Sequence, residues 1–138
     1  MGVQETSNAA GKNRRPRTLA ETAEWTESYR DFGYNVADFL HEFKAHPSFE
    51  AIAAEPASLR ERFAEGRIAD CYLAAIAVTL ATQLGRPRPA WSQQPERFSR
   101  EPWFASTGPH MRALLILESP PAFRERNLFV TANALMVA

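Results

Sequence analysis

The chain has 138 residues, which suits one domain with a single hydrophobic core. It is 45% apolar and 23% charged, as is ordinary for a globular protein, and its formal net charge is zero. A neutral chain has no global attraction for nucleic acid or for an anionic membrane surface. The single cysteine, Cys71, excludes an internal disulfide, and no N-terminal apolar run resembles a signal peptide. We therefore expect a cytoplasmic protein that does not bind a membrane.

The first 17 residues are polar, and we predict that they form a disordered basic tail. Residues 18–138 are predicted to form a single helical domain. The tail carries a basic cluster made of Lys12, Arg14, Arg15 and Arg17. A short basic arm makes only a few salt-sensitive phosphate contacts. Nucleic-acid binding is therefore expected to be weak and confined to this cluster, and a solvated tail is the favoured interpretation.

Two amphipathic helices are predicted near the N-terminus, joined as an antiparallel hairpin. Thr18 and Glu21 have the spacing of a capping box, which predicts the start of a helix over residues 19–29. A second helix is predicted over residues 35–45, after a break at residues 31–33. Its apolar stripe follows the i, i+3, i+4, i+7 spacing of a helix that packs on a core, and consists of Val36, Phe39, Leu40 and Phe43.

The second predicted helix carries a cluster of possible metal ligands, namely Asp38, His41, Glu42 and His46. Carboxylate and histidine side chains three or four residues apart hold metals in helical di-iron proteins. The two histidines, however, do not have the spacing of H-E-x-x-H, and they lie roughly 140° apart around a helix. The cluster also faces away from the apolar stripe. A solvated helix face is therefore favoured over a metal site, and no cofactor is expected.

Residues 67–84 are predicted to form the buried central helix. Large apolar side chains surround nearly its whole circumference, and interspersed alanines let neighbouring helices approach closely. Gly85 suits the left-handed position after a helix, and Pro87 and Pro89 cannot continue one. Cys71 lies within this helix, where a free cysteine behaves as a small hydrophobic residue.

Two shorter helices are expected before the central helix. Phe49 and Ile52 would lie in the first, which ends before Pro56. Ser58 and Glu61 have the spacing of another capping box, which predicts a helix after Ser58, over residues 59–64.

A proline-rich segment with several large aromatic residues follows the central helix. Its aromatic residues are Trp91, Phe98, Trp103 and Phe104. So many rings need cover from the helices or from a partner, which excludes a free linker. We interpret the segment as a strap across the helices, with Trp103 and Phe104 as candidate partner-binding residues.

The C-terminal part is predicted to form short helices, the first over residues 109–118 and the last over residues 133–137. Ser119, Pro120 and Pro121 would start another short helix between them. Asn127 is expected in the left-handed conformation, and residues 128–130 are expected to be extended.

Phe123 is predicted to point inward, while Arg124 and Arg126 are predicted to point outward as cations for an acidic partner. The fold class is therefore all-α. We predict a small helical bundle around one buried central helix, with a Trp/Pro-rich strap and short C-terminal helices.

Several segments together resemble a widespread group of bacterial proteins: RPRTL (15–19), IADCYLA (68–74), PAW (89–91), EPWF (101–104) and ESPPAFRERNLFV (118–130). Members of this group look like the antitoxin-side partners of nucleotidyltransferase-type toxins. Many carry a helix-turn-helix domain in front and are encoded beside a nucleotidyltransferase-like gene. The resemblance implies that the product of the adjacent gene is the partner. This chain has no helix-turn-helix pattern, so the implied role is partner binding and not DNA binding.

No phosphate-binding loop, nucleophile motif or paired-cysteine motif appears in the sequence, which favours a protein without enzymatic activity. The favoured function is a protein-binding domain, an antitoxin-like partner of a nucleotidyltransferase-type toxin. Its candidate partner-binding residues are Trp103, Phe104, Arg124 and Arg126. Two alternatives remain, a metal-binding helical protein that uses the cluster at residues 38–46 and weak nucleic-acid binding through the basic tail.

Overall fold

A computed structural model of the chain describes residues 14–105 and 109–131. The predicted helix over residues 133–137 and most of the predicted basic tail lie outside these ranges. The described chain is mostly helical, with a small sheet of two parallel strands. The helices are α1 (Leu19–Glu24), α2 (Tyr29–Ala45), α3 (Glu50–Ala53), α4 (Gly66–Gln83), α5 (Pro109–Glu118) and α6 (Pro121–Arg124), and the strands are β1 (Trp103–Phe104) and β2 (Leu128–Phe129).

The start of α1 is fixed by the predicted cap and by the chain before it. The Thr18 side chain accepts a hydrogen bond of 3.0 Å from the Glu21 backbone N–H, as the capping box predicts. The Glu21 carboxylate accepts from the Arg17 backbone N–H at 2.8 Å and pairs with the Arg14 guanidinium at 2.7 Å. The hydrogen bond from Arg14 lowers the pKa of Glu21. Residues 14–17, which were predicted to be part of the tail, therefore contact α1.

The boundary between α1 and α2 differs from the prediction. The predicted break at residues 31–33 is wrong, because α2 already begins at Tyr29 and Gly33 lies within it. The Ser28 hydroxyl caps α2 by accepting from the Asp31 N–H at 3.1 Å. The actual break is the short connection before Ser28, where the Asn35 amide donates to the Thr26 hydroxyl at 3.0 Å.

The two longest helices, α2 and α4, bury the apolar residues that the sequence predicts to lie inside. The apolar stripe of α2 is buried, and residues on every side of α4 are buried. α4 contacts α2, α3, α6 and the strap. The chain leaves α4 through Gly85 at φ +67°, the left-handed conformation that the sequence predicts. None of the helices in residues 14–105 and 109–131 is long and apolar enough to cross a membrane.

The segment before α4 does not form the predicted helix over residues 59–64, and that prediction is wrong. The Ser58 hydroxyl does not act as a helix cap but donates to the Asp70 carboxylate of α4 at 2.8 Å. The other Asp70 oxygen accepts from the Leu59 N–H at 2.7 Å. A Cβ atom on Gly66 would overlap the Leu59 carbonyl, so this close approach requires glycine. The segment is thus a set of turns held against α4.

The strap, residues 85–105, packs against α4. It forms two 3₁₀ turns, Ala90–Gln93 and Pro95–Arg97. Trp91 is buried, and its indole N–H donates to the Ile52 carbonyl at 3.0 Å. The strap ends in β1, which pairs in parallel with β2 so that Trp103 faces Leu128 and Phe104 faces Phe129.

Phe123 and Asn127, before β2, have the predicted orientation and backbone conformation, whereas Ser119 does not cap α6. Phe123 of α6 is fully buried, and Asn127 has φ +64°. The extended residues that follow Asn127 form β2. The Ser119 hydroxyl accepts from the Val130 N–H at 2.9 Å, which links the end of α5 to the residue after β2.

Candidate functional site

The possible metal ligands all lie on α2 or directly after it. Asp38, His41 and Glu42 are half-buried, and His46 is exposed at the end of the helix. Among residues 14–105 and 109–131, no three His, Cys, Asp or Glu side chains come together in a group that could hold a metal ion. The described fold therefore brings no further ligand to this cluster.

Two of the candidate partner-binding residues form strand β1. Trp103 and Phe104 are half-buried, and Trp103 packs against the core. The Phe104 ring stacks on Phe129 with ring centroids 4.9 Å apart. The Arg112 guanidinium of α5 lies 5.0 Å from the Phe104 ring. Phe104 therefore joins α5 to the small sheet.

The two candidate arginines lie in opposite environments. Arg124 is exposed at the end of α6, as predicted. Arg126 is fully buried, so its predicted outward orientation is wrong. α6 ends at Arg124, and the turn that follows directs the Arg126 side chain toward the strap. There its guanidinium donates to the Ser92 carbonyl at 2.7 Å and lies 4.3 Å from the Phe98 ring. Arg126 therefore holds the strap and cannot contact a partner.

A second buried arginine, Arg97, also anchors the strap. Its guanidinium donates to the Pro56 carbonyl at 2.9 Å and to the Asp70 carbonyl at 3.2 Å. It also lies 3.6 Å from the Asp70 carboxylate and 4.8 Å from the Trp91 ring. Burial lowers the pKa of Arg97, and the Asp70 charge opposes that shift. The Arg97 guanidinium thus binds the Asp70 carboxylate and two backbone carbonyls, and so connects the strap to α4 and to the turns before it.

The lone thiol is not arranged as a nucleophile. Cys71 of α4 is buried, and its sulfur lies 3.8 Å from the Glu96 carbonyl oxygen. Burial raises the pKa of Cys71 to about 11. Since the thiolate is the reactive form, the thiol is inert at neutral pH.

The exposed face of α5 was not predicted. Met111, Leu114 and Leu117 are 36%, 41% and 77% exposed, and Ile116 beside them is 47% exposed. In contrast, Leu115 is fully buried and holds α5 to the rest of the domain. Met111, Leu114 and Leu117 follow each other at three-residue intervals, so they form one stripe with neighbours roughly 60° apart around the helix. We call this stripe the α5 face.

The sequence does contain a signal for the α5 face. Residues 113–117 are all apolar, and consecutive helical residues point in directions 100° apart. One neighbouring surface cannot cover side chains that point in so many directions. Part of such a helix must therefore stay exposed unless it is surrounded.

No family model, curated protein or solved structure matches this chain. The resemblance to antitoxin-side proteins therefore stays a prediction. Two of the segments on which it depends are neighbours in the structure, because EPWF contains β1 and ESPPAFRERNLFV contains β2. Phe104 lies in the first of these segments and contacts Arg112 of α5.

Proposed function

We propose that this chain is a non-enzymatic protein-binding domain whose partner docks on the α5 face. The observation that carries the proposal is the exposure of three large apolar side chains in one stripe of α5. Contiguous exposed apolar surface typically marks an interaction site on a globular protein. At protein interfaces a few well-packed anchor residues contribute most of the binding energy.

Exposed arginines on α5 and α6 suit an acidic partner. Arg112 is exposed on α5, with its guanidinium beside Phe104. Arg124 is exposed at the end of the following helix. Exposed cations steer an oppositely charged partner toward the molecule. We therefore expect the partner to present acidic as well as apolar side chains.

The partner class that we propose is a nucleotidyltransferase-type toxin, encoded by the adjacent gene. The resemblance of the EPWF and ESPPAFRERNLFV segments to antitoxin-side proteins supports this choice. In this proposal the helices around α4 form a helical bundle that acts as the scaffold. The strap and the small sheet then hold α5 at its edge, where a partner can reach it.

The test is co-expression with the adjacent gene product, followed by size-exclusion chromatography of the purified mixture. We expect the two proteins to co-elute. The double variant Leu114→Glu/Leu117→Glu should weaken the complex by at least about tenfold, because it places two charges in an apolar interface. Both side chains are exposed, so the thermal unfolding midpoint should change little.

A matched control is Tyr34→Glu, since Tyr34 is 45% exposed on α2 and lies outside the α5 face. This variant should co-elute like the wild-type chain. Separate elution of the wild-type proteins would reject the proposed partner. An unchanged complex with the double variant would reject the α5 face. Self-association of the chain alone, measured by light scattering and abolished by the double variant, would instead show that a second copy occupies this face.

A further inference from the structure

An open cleft of about 490 Å³ lies between the turns before α4, the first turn of α4 and the strap. Three arginines line it, namely Arg60, Arg67 and Arg100. We call it the arginine cleft. Its volume is in the range of small-molecule binding sites. It shares no lining residue with the α5 face, and the inference drawn from it does not depend on the proposed function.

The arginines of the cleft have hydrogen-bond donors to spare. Arg60 donates one N–H to the Glu96 carbonyl at 3.3 Å. The side chains of Arg67 and Arg100 make no hydrogen bond within the described ranges. Each guanidinium has five N–H donors in a planar fork. The cleft therefore offers several cationic donors to a ligand.

The walls of the cleft are held in place by buried side chains behind it. Phe98 lines the cleft, and the buried Arg126 guanidinium lies 4.3 Å from its ring. Arg97, which lies between the lining residues Glu96 and Phe98 in sequence, is buried. Its guanidinium donates to the Pro56 and Asp70 carbonyls. Such support fixes the Phe98 wall of the cleft before a ligand arrives, which lowers the entropic cost of binding there.

We propose that the arginine cleft binds a small phosphate ester of about mononucleotide size. Guanidinium forks match the oxygens of a phosphate, so Arg67 and Arg100 would hold this group. The apolar lining of Phe98 and Pro95 offers a surface for a planar organic body.

The two carboxylates of the cleft narrow the ligand class further. Glu96 and Glu101 also line it. Their negative charges repel a long polyanion, which disfavours nucleic acid as the ligand. They can, however, accept hydrogen bonds from amino groups on the ring of a small molecule. A nucleoside monophosphate such as AMP has all three features: one phosphate, a planar ring and an exocyclic amino group.

The test is a titration of the ¹⁵N-labelled full chain with AMP, inorganic phosphate, ribose 5-phosphate and citrate to millimolar concentrations, followed by NMR. We expect saturable shifts with AMP that include the amides of Arg67, Phe98 and Arg100. Ribose 5-phosphate and inorganic phosphate should bind at the same amides but more weakly, because they lack the ring.

Variants separate the contributions of charge and geometry. Arg67→Ala/Arg100→Ala should weaken AMP binding by about tenfold or more, since both phosphate-binding forks are lost. Arg67→Lys/Arg100→Lys should bind with intermediate affinity, because lysine keeps the charge but not the fork. The control Arg30→Ala removes an exposed arginine of α2 outside the cleft and should bind like the wild-type chain. Thermal unfolding of each variant confirms that it is folded.

Three outcomes would overturn the proposal. The first is the absence of saturable shifts with AMP. The second is an unchanged AMP affinity in Arg67→Ala/Arg100→Ala. The third is citrate binding as tightly as AMP, which would show a general anion site without preference for a phosphate ester.

Discussion

At the scale of single residues, the burial of an ionisable side chain, and not its residue type, determines which groups it contacts. Arg97 and Arg126 are both buried, and both donate to backbone carbonyls of distant segments. Cys71 was predicted to be buried from its place in an apolar helix, and the structure confirms this. Arg126 was assigned to the surface because nothing near it in sequence reveals its acceptor, the Ser92 carbonyl 34 residues earlier.

The buried thiol predicts a dependence of stability on alkaline pH. Burial raises the pKa of Cys71 from its ordinary value of 9.0 to about 11 in the folded chain. A raised pKa means that the folded state holds the proton more tightly than the unfolded state. Cys71 therefore contributes stability below pH 9.0, and this contribution is lost as the pH rises to about 11. We expect the free energy of unfolding to fall by roughly 1–3 kcal/mol across this window.

Urea unfolding at a series of pH values measures this effect. In Cys71→Ala the free energy of unfolding should fall less over the same pH range, whatever the absolute stability of the variant. Burial also raises the pKa of Tyr72 from its ordinary value of 10.0 to about 12, so Tyr72 adds its own fall in stability from pH 10.0 upward, in the variant as in the wild-type chain. The same pH slope in Cys71→Ala and in the wild-type chain would rule out the thiol as the cause.

At the scale of elements, one local sequence pattern has different outcomes in different surroundings. A Ser or Thr followed three residues later by an acidic residue occurs at Thr18, Ser28 and Ser58. Thr18 and Ser28 cap helices, because their hydroxyls accept from backbone N–H groups of the first turn. Ser58 instead donates to Asp70 in α4, so no helix starts there. A tertiary partner outcompetes the local cap when it offers a buried carboxylate.

For two glycines in helices, we expect substitution by alanine to change the free energy of unfolding in opposite directions. Gly66→Ala would push a Cβ atom into the Leu59 carbonyl, so the turns before α4 must move. We expect a loss of about 2–4 kcal/mol in the free energy of unfolding. Gly33→Ala adds a Cβ atom that meets nothing within 4 Å in the interior of α2. It should stabilise the chain by about 0.5–1 kcal/mol, because alanine favours the helix.

Chemical denaturation of the two variants and the wild-type chain provides the comparison. Each glycine serves as the control for the other, since both substitutions add one methyl group to a helix. A Gly66→Ala variant as stable as the wild-type chain would contradict the close approach of Leu59 to α4.

At the scale of the whole molecule, the strap joins the C-terminal segment to the helices packed on α4. The Ser99 N–H donates to the Arg126 carbonyl at 3.2 Å, and the Trp103 N–H donates to the Asn127 carbonyl at 2.8 Å. The Arg126 side chain reaches back to Ser92. These bonds connect parts of the chain that are far apart in sequence. We infer that the strap and the segment around β2 unfold together.

The substitution Arg126→Met tests this coupling. Methionine keeps a long apolar side chain but loses the hydrogen bonds to the Ser92 and Ala122 carbonyls. We expect the free energy of unfolding to fall by about 2–4 kcal/mol, because buried acceptors lose their donors. Hydrogen exchange should show lost protection in residues 98–105 and 126–130 together, with the amides of α2 less affected.

The matched control is Arg124→Met, at an exposed position two residues earlier. It should change the free energy of unfolding by no more than about 0.5 kcal/mol. Loss of protection around β2 alone, with the strap unchanged, would contradict the coupling.

The sequence by itself determined the features that depend on neighbouring residues. The stripe of α2, the extent of α4 and α5, and the left-handed Gly85 and Asn127 follow from helical periodicity and from local backbone preferences. Only the tertiary structure decided the fate of Ser58, the burial of Arg126 and the grouping of the arginine cleft. Each of these depends on a partner that is distant in sequence, and such partners leave no periodic pattern. The proposed sites therefore depend on the tertiary structure, whereas the helices that carry them can be predicted from the sequence.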